Sequence, residues 1–144
     1  MATTIREATR DDLDDLQRIR GLVRDNRLSY AIPNERVLAA IETRGRGWVA
    51  EHEGETVGFS IADLEDGSIW ALFLLPEWEG RGLGRALLDR AVAWLEQQEC
   101  PRVWLSTAPG TRAEGFYARL GWERVGMTEG GEVRFERQLI PPER

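Results

Sequence analysis

The apolar positions of the chain switch between two spacings, and each switch marks an element. Residues 3–8 are a short strand candidate. Thr9 then offers a side chain suited to capping a helix, and Leu13, Leu16, Ile19 and Val23 follow at helical spacing. Residues 25–34 are polar, contain Tyr30 and Pro33, and read as a loop. Val37, Leu38 and Ile41 predict a second short helix, ended near Gly45 and Gly47. Residues 48–51 and 56–62 predict two strands joined by a tight turn at Glu53 and Gly54. Residues 68–75 predict a third strand, and their unbroken apolar character implies burial on both faces, as in an inner strand between covering layers. Pro76 ends it, because proline cannot donate to a ladder.

Over residues 83–98 the side chains of Leu83, Leu87, Ala91, Trp94 and Leu95 form one stripe, a helix broken by Pro101. Residues 103–105 are a short strand. Thr111 and Glu114 form a capping box opening a helix that runs through Tyr117 and Leu120 to Gly121, a natural terminator. Residues 122–126 and 132–139 are the last strands, with Val133, Phe135 and Leu139 alternating with charged or polar neighbours. Strands followed by interleaved helices and strands predict an α/β (α+β) protein, a mixed sheet covered by helices. No linker or repeat divides residues 1–144, so one domain is expected.

Composition narrows the partners. With 42% hydrophobic and 31% charged residues, the chain has the make-up of a soluble globular protein. Its longest apolar run, residues 69–75, is far too short to span a bilayer, so no membrane partner is expected. The first thirty residues are charged and lack the apolar segment of a secretory signal, and the single Cys100 cannot form an internal disulfide. A cytoplasmic location is therefore expected. A formal charge of -6 argues against nucleic acid and suits a cationic small substrate. All nineteen basic residues are arginine, which excludes Schiff-base chemistry and a P-loop lysine.

The densest candidate chemistry follows Pro76. Gly80, Gly82 and Gly84 alternate with Arg81, Leu83 and Arg85 where a strand gives way to a helix. A helix N-terminus has amides without internal partners and a positive dipole end, and glycines let a phosphate approach the backbone. Arg81 and Arg85 can add charge-assisted bonds. The Walker pattern is absent. A dinucleotide fingerprint fails from either glycine, because positions 85 and 87 are Arg85 and Leu87. The alternative, a tight turn that binds nothing, fits three spaced glycines and two arginines less well.

Gly80-Arg81-Gly82-Leu83-Gly84-Arg85-Ala86-Leu87-Leu88, after a strand ended by proline, resembles the acyl-CoA site of the GCN5-related N-acetyltransferase (GNAT) family. Gly115-Phe116-Tyr117-Ala118-Arg119-Leu120-Gly121-Trp122 is similar to that family's late helix, and the order of elements matches over nearly the whole chain. The resemblance implies a mixed, mostly antiparallel central sheet of about seven strands flanked by about four helices. It implies acetyl-CoA as acyl donor, with no metal, and a small-molecule or peptide amine as acceptor. Pyrophosphate would rest on the amides of Gly80, Arg81, Gly82, Leu83, Gly84 and Arg85. The pantetheine arm would pair with Leu72, Phe73 and Leu74, and the Leu74 amide would polarise the thioester carbonyl, an oxyanion-type contact. Tyr117 would be the general acid toward sulfur. A homodimer is compatible with the family.

Two positions depart from the family pattern. Glu79 stands three residues before Gly82, where glutamine or arginine is usual, and is expected to point to solvent. Gly110 stands seven residues before Tyr117, where many members have asparagine. A general base is not singled out: His52, Glu51, Asp63, Glu65 and Glu77 are all carboxylates or imidazole near strand ends. Acceptor contacts are expected from the loop of residues 25–34, where Tyr30 is a candidate or a merely exposed loop residue, and from the turn of residues 128–131 between the last two strands. Trp70 and Trp78 could line the acceptor side or serve the core. Ser106, Thr107 and Arg112 could touch the pantetheine or the acceptor.

Overall fold

The computed structural model describes residues 3–23 and 32–140. Its elements run β1 (Thr3–Glu7), α1 (Leu13–Val23), α2 (Asn34–Glu42), β2 (Gly45–His52), β3 (Glu55–Asp63) and β4 (Ser68–Leu74). Then come α3 (Leu83–Gln97), β5 (Arg102–Thr107), α4 (Arg112–Arg119), β6 (Glu123–Met127) and β7 (Val133–Gln138). The strands form one sheet in the order β1-β2-β3-β4-β5-β7-β6. Every neighbouring pair is antiparallel except β4 and β5. The mixed, mostly antiparallel sheet with four helices is the architecture the sequence implied.

Helices cover both faces. Ser60 donates to the Leu87 carbonyl at 2.9 Å, so α3 lies over the Ser60 side of β3. Gly47 approaches Ile41 of α2 on the Ile61 side, the opposite face. Phe116 of α4 comes next to Gly84 of α3, so α4 shares the α3 face. Leu16, Ile19, Val49, Val57, Ile61, Leu87 and Leu95 are enclosed between these layers.

Local chemistry explains most boundaries. Thr9 caps a 3-10 turn, Arg10–Asp12, rather than the helix itself. Its hydroxyl accepts from the Asp11 amide and the Asp12 carboxylate returns to the Thr9 amide at 2.8 Å. The second helix stops at Glu42, and Gly45 and Gly47 belong to β2 rather than to the helix end. Their role is close approach: a Cβ on Gly45 would sit 1.7 Å from the Ala62 carbonyl oxygen. At α4, Thr111 accepts from the Glu114 amide, but the Glu114 carboxylate returns to the amide of Gly110, one residue early.

The inner strand β4 differs from its predicted burial. Ser68, Ile69 and Ala71 are buried, whereas Trp70, Leu72, Phe73 and Leu74 are only half-buried. The reason is topological. β4 meets its parallel neighbour at a single pair, Ser68 with Trp104, and the two strands then part.

Candidate active site

A β-bulge turns the backbone of β4 toward the gap. In the β3–β4 ladder Ile61 faces Ala71, yet Ala62 faces Ile69, which leaves Trp70 as the extra residue. An extra residue reverses the side to which every later amide of the strand points. Beyond the bulge, the Leu75 amide donates to the Val57 carbonyl at 2.9 Å, fixing Leu75 and Val57 as a hydrogen-bonded pair. Alternation of antiparallel pairs then turns the N–H and C=O of Leu74 and Leu72 away from β3, toward β5. At the closed end the Trp104 amide still donates to the Gly67 carbonyl at 3.0 Å. Past that point the β4 polar groups have no strand to meet.

A cavity of about 520 Å³ occupies this gap. Trp70, Leu72 and Phe73 line it from β4, Ser106 and Thr107 from β5, and Tyr117 from α4. Tyr117 is buried and wedged among aromatic rings, with Phe116, Phe135 and Trp122 centroids at 5.2, 5.8 and 5.9 Å. Helix termination contributes here, because the Trp122 amide folds back to the Tyr117 carbonyl at 3.2 Å. Burial pushes the phenol above its ordinary range, so it stays protonated at neutral pH. Its hydroxyl has no hydrogen-bond partner among the described residues.

The glycine-rich turn lies one short step beyond β4, after the 3-10 turn Pro76–Trp78. Gly80 has φ +80° and Gly82, the N-cap of α3, has φ +82°, conformations that glycine adopts without steric cost. Among the described residues the first amide to find a carbonyl is Ala86, which donates to Gly82 at 3.1 Å. The amides of residues 80–85 donate to no carbonyl among the described residues. A Cβ built on Gly80 or Gly82 would meet no atom within 4 Å, so the rim stands open. These properties suit a phosphate.

The flanking charges are each held by a neighbour. The Arg81 guanidinium lies 4.5 Å from the Trp78 ring. Arg85 is 3.9 Å from Asp89 on the exposed side of α3. Glu79 is exposed, as expected, and it also meets Arg112 at 3.2 Å, so the anion beside the loop carries its own counter-ion. Arg112 therefore sits beside the loop and does not border the cavity.

The remaining candidates separate cleanly. Ser106, Thr107 and Trp70 line the cavity, whereas Trp78 stacks on His52 at 4.7 Å and supports Arg81. Tyr30 lies outside the described residues. None of the five proposed bases borders the cavity. His52 is bound to Thr3, Glu51 to Arg6, and both Asp63 and Glu65 to Arg44, while Glu77 is exposed in the turn after β4. Among the described residues, the carboxylates that border it are Asp66 and Glu132. The sequence by itself does not single out Glu132, whose place depends on β7 folding back beside β5, although the turn of residues 128–131 just before it reads as a source of acceptor contacts.

The chain matches the family model "Acetyltransferase (GNAT) family" over residues 8–122. It is 33% identical over 136 residues to an uncharacterized N-acetyltransferase of Archaeoglobus fulgidus, covering 79% of this chain and 88% of that protein. The PaiA N-acetyltransferase of Thermoplasma acidophilum, solved in complex with coenzyme A, superposes with a TM-score of 0.81 at 17% identity, over 96% of this chain and 99% of the other. The ribosomal-protein-S18-alanine N-acetyltransferase of Escherichia coli superposes with a TM-score of 0.78 at 18% identity, over 99% and 97% of the two chains. Among the described residues no helix is long and apolar enough to cross a membrane. Parted parallel strands, an open amide rim at a helix start and a family model spanning both motifs lead to one conclusion: the chain belongs to the GNAT acetyltransferase family.

Proposed function

We propose that the protein transfers an acetyl group from acetyl-CoA to a primary amine by direct attack, without an acyl-enzyme. One observation carries this reading: the amides of Leu72 and Leu74 turn away from β3 toward the gap, and those of residues 80–85, a few residues further along the chain, donate to no carbonyl among the described residues. Such a path suits a ligand with a diphosphate at one end and an amide-bearing arm at the other. The diphosphate rests on the loop, with Arg81 and Arg85 beside it. The arm completes the broken ladder between β4 and β5. The Leu74 N–H then donates to the thioester oxygen as it gains charge, the interaction on which acyl transfer most depends. Tyr117 protonates the departing sulfur.

The acceptor is a small-molecule or peptide amine entering from the α1 and α2 side of the gap. Thiol release from acetyl-CoA in the presence of spermidine, an aminoglycoside, free amino acids and short peptides with free N-termini tests the activity. Tyr117→Phe lowers kcat about a hundred-fold while leaving CoA affinity within about three-fold. CoA binding without turnover on any of these amines would instead favour a non-catalytic acyl-CoA sensor and refute the transferase.

A further inference from the structure

The proposed transferase leaves one chemical need unmet. An alkyl ammonium has no lone pair, so something must remove its proton before it can attack. Resting on that reading, we infer that Glu132 is the proton acceptor for the incoming amine and that Ser106 is its positioning residue.

The carboxylate is built into a stiff support. The Thr128 amide donates to the Glu132 carbonyl at 2.7 Å, the Glu132 amide donates to the Thr128 hydroxyl at 3.1 Å, and Gly131 closes onto the Thr128 carbonyl at 3.0 Å. The turn between β6 and β7 is thus tied at three points, and Glu132 emerges from it over β5. There the Ser106 hydroxyl donates to Glu132 Oε1 at 2.6 Å, the short length of a charge-assisted bond. Oε2 has no partner among the described residues, and both side chains border the cavity. One carboxylate oxygen is fixed and the other is available.

The placement is complementary to that of Tyr117. Leu105 pairs with Phe135, and Tyr117 packs on Phe135, so the phenol lies on the face of the sheet to which Leu105 points. Ser106 is the next residue of β5 and points to the opposite face. Glu132 and Tyr117 therefore flank the gap from its two sides, an arrangement in which the amine arrives at one side of a thioester carbonyl and sulfur leaves from the other. Asp66, the other bordering carboxylate, lies at the closed end, where its carbonyl accepts from Trp104 Nε1 at 3.0 Å. The charged groups that share the cavity with Glu132 are Asp66, Arg20 of α1 and Arg36 of α2. Arg36 lies 5.9 Å from the Trp70 ring. On β7 itself, Arg134 is engaged by Glu136 at 3.1 Å and by the face of Trp104 at 4.3 Å.

The step balances as follows. The ammonium gives one proton to Glu132 Oε2. The freed nitrogen forms a bond to the acetyl carbon, and the carbon–sulfur bond breaks as sulfur takes the Tyr117 proton. Of the two protons the nitrogen loses, one passes from Glu132 to solvent and the other restores the phenol, so each turnover releases one proton.

The test uses Glu132→Gln, Glu132→Ala and Ser106→Ala with whichever of the named amines the wild-type protein acetylates fastest. Glu132→Gln should lower kcat/KM by about a hundred- to a thousand-fold, with CoA affinity by calorimetry unchanged within about two-fold. Its remaining rate should climb about tenfold per pH unit up to the pKa of the amine itself, about 8 for an α-amino group and about 10.4 for an ε-amino group, whereas the wild-type rate levels off lower. Formate should restore part of the rate to Glu132→Ala, and Ser106→Ala should lose about tenfold and level off at higher pH than wild type, because the carboxylate loses a hydrogen bond that favours its charged form. An unchanged kcat/KM in Glu132→Gln overturns the assignment. So does an equal loss at every pH without rescue by formate, the signature of a merely structural turn residue. If wild-type protein binds CoA but acetylates none of the amines, the transferase reading falls and the base falls with it.

Discussion

Two glycines of this chain form a matched pair that isolates ligand binding from backbone strain. Gly54, in the β2–β3 turn, and Gly82, in the loop before α3, both have φ +82°, and a Cβ on either would meet no atom within 4 Å. An alanine at either position therefore suffers the same penalty, about 1–2 kcal/mol for a left-handed L-residue, with no clash to add. At about 2.1 cal/mol/K of unfolding entropy per residue, a domain of this size loses about 3–7 °C of Tm from that strain. The two variants should thus melt together, below wild type. They should part in calorimetry with CoA. A methyl group on Gly82 stands on the open rim of the amides of residues 80–85, and each charge-assisted hydrogen bond it displaces is worth about 1.5–3 kcal/mol, or about ten- to a hundred-fold in Kd. Gly82→Ala should weaken CoA at least tenfold while Gly54→Ala leaves it unchanged. Gly82→Asn, which tolerates the left-handed region better, should recover part of the lost Tm and none of the affinity. Equal CoA affinity in the two alanine variants would refute the loop as the diphosphate seat.

Charge at the loop gives a second expectation. Removing the Glu79 carboxylate, an exposed group, should tighten CoA by about two- to five-fold at low salt, an effect that fades near 1 M salt, where screening extends over only about 3 Å. A weaker Kd at low salt would mean that Glu79 matters chiefly by holding Arg112. Stability at the other end of the sheet should depend on acid. Arg6, with the Thr9 amide, holds the Asp12 carboxyl below the usual carboxylate range. A depressed folded pKa stabilises above the ordinary value of about 3.9 and loses that contribution as pH falls through the folded value. Asp12→Ala should therefore cost about 1–3 kcal/mol in urea unfolding at pH 7, and the gap to wild type should shrink below pH 4. The same gap at pH 3 as at pH 7 would show that Asp12 acts by packing rather than by charge.

Much of the fold lay in contiguous residues. The stripe from Leu83 to Leu95, the capping pair at Thr111, the terminating Gly121 and the turn at Glu53 and Gly54 all act within a few positions of one another. Chain-local preferences therefore suffice to write them. The glycine loop is of the same kind, because φ values near +80° and a helix start are properties of a handful of adjacent residues. Where local reading misled, a distant partner was at work: Gly45 and Gly47 resemble helix terminators until the Ala62 carbonyl is seen pressing on the strand that contains the first of them.

The cavity belongs to tertiary structure. An unbroken apolar run from Ile69 to Leu75 reads as a fully enclosed strand, and no pattern within it says that Trp70 bulges out of register or that β5 diverges after a single pair. Nor does sequence place Glu132 against Ser106, residues that meet only because β7 returns beside β5. Hydrogen-bond direction along a strand, and contact between strands far apart in the chain, are set by pairing rather than by composition. The turn and helix chemistry of this protein was therefore written locally, while the opening between its parallel strands and the carboxylate that faces it came from how the sheet is assembled.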